Sequence, residues 1–230
     1  MKKINIFASI ICLFAICSFY LGITDDKSIT PSVANTNNIV ETSDTFKSNK
    51  NYEKDIVAYL YFPNTDFETE IVQTKDNSYY LNHDINGKKI DKGMPFLDYR
   101  DIIGESKVLR IYGHNSNTIY TEFNFLEKYY GEEYFKKNRY FYLETENELR
   151  KYEVFSAYVE ISDWSYYQVN FNIPGLYQEE LNKYKDNSWY DTKVDVNEED
   201  EILILQTCSY LPKYKNYEHK FFLLMGKRIE

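Results

Sequence analysis

The sequence predicts a mainly β domain with added helices, its strands closed into a barrel or packed as a sandwich, preceded by an amino-terminal transmembrane helix. Three observations carry this. Short runs of β-branched and aromatic residues recur eight times between turn-like clusters. Aromatic residues form 18% of the 230, with 24 Tyr and 15 Phe suited to a pleated, half-buried surface, while 8 Gly and 5 Pro exclude collagen-like or proline-linker architectures. The chain also opens on an apolar run without charge.

That run, Ile4 to Ile23, follows Lys2 and Lys3 and has the length of about 20 residues that crosses a bilayer core. It shows no polar face, only scattered Asn5, Ser9 and Ser18. No small-x-small pair precedes the polar region and neither Cys12 nor Cys17 follows a lipoprotein-type box, so an uncleaved anchor is favoured over a cleaved signal. The lysines before the span, with Asp25 and Asp26 after it, place the amino terminus in the cytoplasm and the remainder outside the cell. Residues 1–23 are thus read as stub and anchor, 24–51 as a polar linker rich in Ser, Thr, Asn and Asp, and 52–230 as the working domain.

Within that domain the expected strands are Ile56 to Phe62, Glu70 to Gln73, Pro95 to Leu97, Lys107 to Tyr112, Arg139 to Glu144, Arg150 to Ile161, Glu201 to Thr207 and Lys220 to Ile229. Helical spacing is expected at Asn77 to Leu81 as a single turn, at Tyr120 to Lys128 with Phe123 and Leu126 inward, and at Ile173 to Lys185 with Leu176, Tyr177, Leu181 and Tyr184 on one face. The acidic run Glu198 to Glu201 reads as a solvated turn before a strand. With 27 Lys plus Arg against 36 Asp plus Glu, a net charge of -9 offers no basic field for a phosphate backbone, so nucleic acid is not an expected partner.

Cys208 is the one thiol of the outward domain, which excludes an intradomain disulfide. It ends the apolar run EILILQTC, where a strand holds the sulfur rigidly and leaves it open to substrate. A thiolate there needs a nearby base or cation. Three histidines are available. His114, in VLRIYGHN, also follows a strand directly and sits after Gly113, which permits a close backbone approach; it is the best-placed partner. His83 lies in a polar turn and reads as a surface residue, and His219 as a strand-edge residue or a second site group. No paired-cysteine motif, HExxH or other clustered ligand set points to a metal, and no cofactor is expected.

Several ordered stretches, KDNSYYLNHDINGKK, FLDYR at 96 to 100, YGHN at 112 to 115, FNFLEKYYGEEYF, KYEVFSAYV and LQTCSY at 205 to 210, together resemble a class B sortase over about Tyr52 to Glu230. These are membrane-anchored cysteine transpeptidases of Gram-positive bacteria. The resemblance implies an eight-stranded closed barrel, with Cys208 as nucleophile on the threonine carbonyl of a carboxy-terminal sorting signal and His114 as acid and base. An amine of a peptidoglycan peptide or its lipid-linked precursor, or a pilin lysine, would resolve the thioacyl-enzyme. Leu81, Tyr167, Gln206 and Thr207 match positions of the sorting-signal groove.

The chain departs from the family in one place. Where an arginine is expected at the start of the last strand, the stretch His219 to Lys227 has none: alignment on Gly226-Lys227 puts Phe221 there, and one extra residue puts Lys220 there. Arg228 lies eight residues beyond Lys220, roughly 26 Å along a strand. Lys220 is therefore the candidate cation for the oxyanion or thiolate. A secreted cysteine peptidase using water, and a catalytically weak peptide-binding relative, are the rival readings.

Overall fold

The computed structural model describes residues 47–163, 173 and 175–230. The apolar run at 4–23 and Tyr167 lie outside the described residues. Eight strands close a barrel in the order β1-β2-β3-β4-β7-β8-β6-β5. They are β1 (Ile56–Tyr61), β2 (Glu68–Val72), β3 (Phe96–Leu97), β4 (Val108–Tyr112), β5 (Tyr140–Glu144), β6 (Leu149–Glu160), β7 (Ile202–Cys208) and β8 (Phe221–Arg228). Each matches one of the eight expected runs, with ends displaced by one or two residues.

Alternation along the strands accounts for the tyrosine content. In β1, Ala58 and Leu60 point into the barrel, and in β5 so do Phe141 and Leu143. The outward positions carry tyrosines, and Tyr61 and Tyr142, paired across β1 and β5, stack with centroids 5.0 Å apart. The β7 run has no alternation because both its faces are covered. Leu203 and Leu205 fill the barrel, while Ile202 and Ile204 lie beneath the helix α2 (Leu176–Asn187). That helix buries Tyr177, Leu181 and Tyr184, spaced four and three residues apart on one face; Leu176, also expected inward, is only half-buried.

Two connections bear on the site. A 3₁₀ segment, Glu122–Tyr130, plugs one end of the barrel with Phe123, Leu126 and Tyr129, all fully buried. A short helix that sequence patterning did not reveal, α1 (Glu132–Lys137), follows it. The acidic run is only partly the solvated turn that was expected: Asp200 pairs with Lys227, and Glu201 accepts from the buried Arg150 at 2.8 Å and pairs with Arg228. An isolated buried arginine is costly, so the carboxylate before β7 serves the core. Arg228 is thereby committed at the end of β8 remote from Cys208. Packing also begins slightly before Tyr52, since the Ser48 backbone donates to the Glu146 carbonyl at 3.2 Å.

Candidate active site

The parallel pair β4 and β7 sets the site. Their register runs from Val108↔Ile202 to Tyr112↔Gln206. Two residues further along each chain stand His114 and Cys208. Beyond the last ladder pair the two ends stay joined: the Gly113 amide donates to the Gln206 carbonyl at 3.1 Å, and the Thr207 hydroxyl donates to the Gly113 carbonyl at 2.7 Å. Neighbouring strands lie about 4.8 Å apart, so this register carries the backbone of His114 alongside that of Cys208. Gly113 is required by space rather than by φ, because a Cβ there would lie 2.6 Å from the Phe123 ring.

The imidazole is oriented from a third direction. His114 Nε2 lies 2.8 Å from the Leu81 carbonyl oxygen. A carbonyl only accepts, so Nε2 carries a proton and Nδ1 is left as the basic atom of the neutral ring. Leu81 ends the 3₁₀ turn Tyr79–Leu81, within the stretch expected to form a single turn. Its position depends on Gly93, where a Cβ would lie 2.4 Å from the Tyr80 carbonyl oxygen and 2.7 Å from that of Leu81. The same segment is tied to β3 by the fully buried Asp98, which accepts from Asn77 Nδ2 at 3.0 Å, Tyr112 Oη at 2.9 Å and Arg100 Nη2 at 2.6 Å. Burial pushes the Asp98 carboxyl upward, but the Arg100 hydrogen bonds and the nearby Arg110 charge outweigh it and hold the group well below the usual carboxylate range.

Cys208 is exposed at the end of β7. Packing on its flank raises the thiol above its ordinary pKa, and the Lys220 charge offsets part of that rise. The register places Phe221 directly opposite Cys208 and Phe222 opposite Thr207. Cross-strand partners share a face, so the sulfur shares its face with Phe221, whose ring stacks on His219 at 6.1 Å. Of the two alignments for the missing arginine, the one that selects Phe221 names the residue that stands at the sulfur. Lys220 precedes β8 and accepts from the Ser209 amide through its carbonyl at 2.7 Å; its side chain acts on the thiol through its charge.

The amides after Cys208 are also engaged. Glu127 Oε1, from the 3₁₀ segment, accepts from Ser209 Oγ at 2.8 Å, Tyr210 N at 2.7 Å and Leu211 N at 3.1 Å. With Ser209 N already bonded to Lys220, the loop offers no free N–H at 209, 210 or 211. Nothing in the sequence pattern singled out Glu127, since a glutamate in a polar helical stretch reads as a solvated residue. Gln206 and Thr207 are buried beside the sulfur. Leu81 meets the site through its carbonyl, and Tyr167 lies outside the described residues. His83 stacks on Tyr79 at 4.4 Å, apart from this cluster. A cavity of about 460 Å³ bounded by Tyr59, Glu68, Glu70, Asp84 and Glu122 has neither Cys208 nor His114 in its wall.

Residues 60–224 match the family model described as the sortase domain. The chain is 30% identical over 209 residues to sortase B of Listeria monocytogenes, covering 89% of this chain and 82% of the relative. Among solved structures it is similar to sortase B of Clostridium perfringens, with a TM-score of 0.69, 27% identity and coverage of 76% of this chain and 94% of the other. The Staphylococcus aureus sortase B–substrate complex is similar at a TM-score of 0.68 and 27% identity, covering 77% of this chain and 81% of that one.

Proposed function

The chain belongs to the class B sortases, a family of cysteine transpeptidases, and from that premise we propose which substrates it joins and which residues act. Its substrates are surface proteins bearing a carboxy-terminal sorting signal, cleaved after threonine. The acceptor is an amine of a peptidoglycan peptide or of its lipid-linked precursor. The observation that supports the residue assignment is the β4–β7 register, which carries the backbone of Cys208, whose thiol is exposed, alongside that of His114, whose Nε2 is engaged by Leu81.

Cys208 Sγ attacks the threonine carbonyl and expels the remainder of the signal as an amine. His114 protonates that amine as it leaves and later takes a proton from the incoming one, and the thioester carbon passes from sulfur to nitrogen. A thiol held above its ordinary pKa is mostly protonated at neutral pH, so attack needs a base at hand; Nδ1 of His114 is that base. With the amides at 209 to 211 occupied, charge on the tetrahedral intermediate falls to side chains, and Lys220 supplies the positive end. Gln206, Thr207, Leu81 and Tyr167 are assigned to the groove for the sorting signal.

The test is incubation with a library of sorting-signal peptides and a nucleophilic amine such as triglycine, followed by mass spectrometry. A thioacyl adduct on Cys208 and amine-dependent ligation product are expected, and both disappear in Cys208→Ala. Acyl transfer to water alone identifies a peptidase. Binding without adduct identifies a weak relative. The apolar run at 4–23 is assigned as a single-pass anchor with the catalytic domain outside the cell; full-length protein then stays with membranes and is cleaved by protease added to protoplasts, whereas release of a shortened form overturns the anchor.

A further inference from the structure

Asn115, the last residue of YGHN, is buried at 6% exposure and reaches away from solvent to the nucleophile. Its Nδ2 donates to the carbonyl oxygen of Cys208 at 2.9 Å. Its Oδ1 accepts from Asn124 Nδ2 at 2.6 Å, and the same Nδ2 donates to the Ser116 carbonyl at 2.7 Å. Asn124 Oδ1 in turn accepts from the Thr121 backbone N–H at 2.6 Å and from its hydroxyl at 2.8 Å.

The direction of this chain is determined from one end. A backbone N–H only donates, so Asn124 must turn its oxygen to Thr121 and its NH₂ to Asn115. Asn115 must then present its oxygen to Asn124 and its NH₂ to Cys208. Neither amide can flip without setting like groups against each other in a buried place, which costs the full price of an unmade bond. The relay ends at the peptide of Cys208, and the member that reaches it, Asn115, is joined to His114 by a peptide bond.

We propose that Asn115, oriented by Asn124, is the positioning residue that sets the Cys208 thiol relative to the His114 imidazole. This rests on the reading of those two residues as the catalytic pair. The 3₁₀ geometry of the Glu122–Tyr130 segment is part of the device: with about three residues per turn, positions three apart superimpose, so Asn124 and Glu127 leave the segment on the same side. Asn124 acts on Cys208 through Asn115, and Glu127 holds Ser209, Tyr210 and Leu211 directly. An α-helical segment would splay the two by about 60°. One rigid element thus holds both the carbonyl of Cys208 and the three residues that follow it.

Asn124→Asp tests the relay away from the reacting atoms. The carboxylate still accepts from Thr121 but cannot donate to Asn115, whose amide is then free to turn its oxygen toward the Cys208 carbonyl. We expect kcat for peptide transfer to fall about tenfold or more, since small misplacements of reacting groups are costly, with KM within about twofold. Asn115→Ala is expected to lose a similar factor, and the double variant no more than the worse single one. Alkylation of Cys208 by iodoacetamide should change by less than about threefold in all three, because the thiol itself is untouched. A second arm needs no substrate: in ¹⁵N-labelled protein the Asn115 side-chain amide should exchange slowly with solvent, and faster in Asn124→Asp. Wild-type kcat in Asn124→Asp, multiplying losses in the double variant, or unchanged amide exchange would overturn the relay. A wild-type protein that transfers no peptide counts against the transpeptidase reading alone, and the exchange arm then decides the relay.

Discussion

Replacing Phe221 with arginine puts a cation where the register sets a ring opposite Cys208. The Ser209 amide donates to the Lys220 carbonyl, so the adjacent pair Cys208↔Phe221 is the non-hydrogen-bonded kind, with Cα atoms about 4.5 Å apart and side chains converging. A guanidinium about 5 Å from the sulfur stabilises the thiolate by about 0.8 kcal/mol at a dielectric of about 80 and by about 3 kcal/mol at about 20. At about 1.4 kcal/mol per factor of ten, the thiolate fraction at neutral pH rises between about 4-fold and roughly 150-fold. Phe221 is half-buried at the rim of the outer cluster, so its loss costs about 1 to 2 kcal/mol of stability. Thiolate absorbance in the ultraviolet, titrated against pH with the Cys208→Ala spectrum subtracted, isolates this sulfur from Cys12, Cys17 and the tyrosines. The midpoint should move to lower pH and the transfer rate should rise, by less than the thiolate fraction because nucleophilicity falls with basicity. A folded Phe221→Arg protein with an unmoved midpoint would refute the argument that position 221 faces the sulfur.

Lys220→Ala should move the same titration to higher pH, and should lower transfer on the order of a hundredfold, with Lys220→Arg tolerated; activity within about threefold of wild type removes the oxyanion assignment. Gly113→Ala forces a methyl against the buried Phe123 ring and should cost about 1 to 3 kcal/mol in urea unfolding, with a larger loss of turnover because His114 is displaced. Asp98→Asn leaves Arg100 without its carboxylate and should destabilise by about 3 to 5 kcal/mol at pH 7. The Asp98 pKa is depressed on folding, so its contribution is complete above the unfolded value of about 3.9 and is lost as pH falls through the folded value. Wild-type stability should therefore drop below about pH 4, and this acid limb should flatten in Asp98→Asn; an unchanged limb would show that other carboxylates govern it.

How much was legible in the sequence depended on how local each cause is. The eight strands follow from runs of apolar and aromatic residues, and Cys208 and His114 are singled out as site candidates because each stands at the end of such a run. Periodicity also found the inward residues Phe123 and Leu126 and the buried face of α2. It did not find α1, whose six residues are too few for a periodic signal.

What only the tertiary structure decided are relations between segments far apart in the chain. The β7–β8 register chose Phe221 over Lys220 as the neighbour of the sulfur, because a slip of one residue reverses the face of every side chain and sequence comparison across the intervening loop leaves a one-residue ambiguity. Glu201 looked solvated beside its acidic neighbours, yet it meets Arg150, which lies 51 positions earlier and is brought to it by closure of the barrel. Leu81 matched a groove position in the sequence, and only the structure shows that its carbonyl also meets His114 Nε2. Residue types and strand ends are written in the local pattern because burial and backbone preference act over a few residues. Hydrogen bonds that reach His114 and Cys208 are made across some thirty to ninety residues of chain, and only the closed barrel determines which donor meets which acceptor.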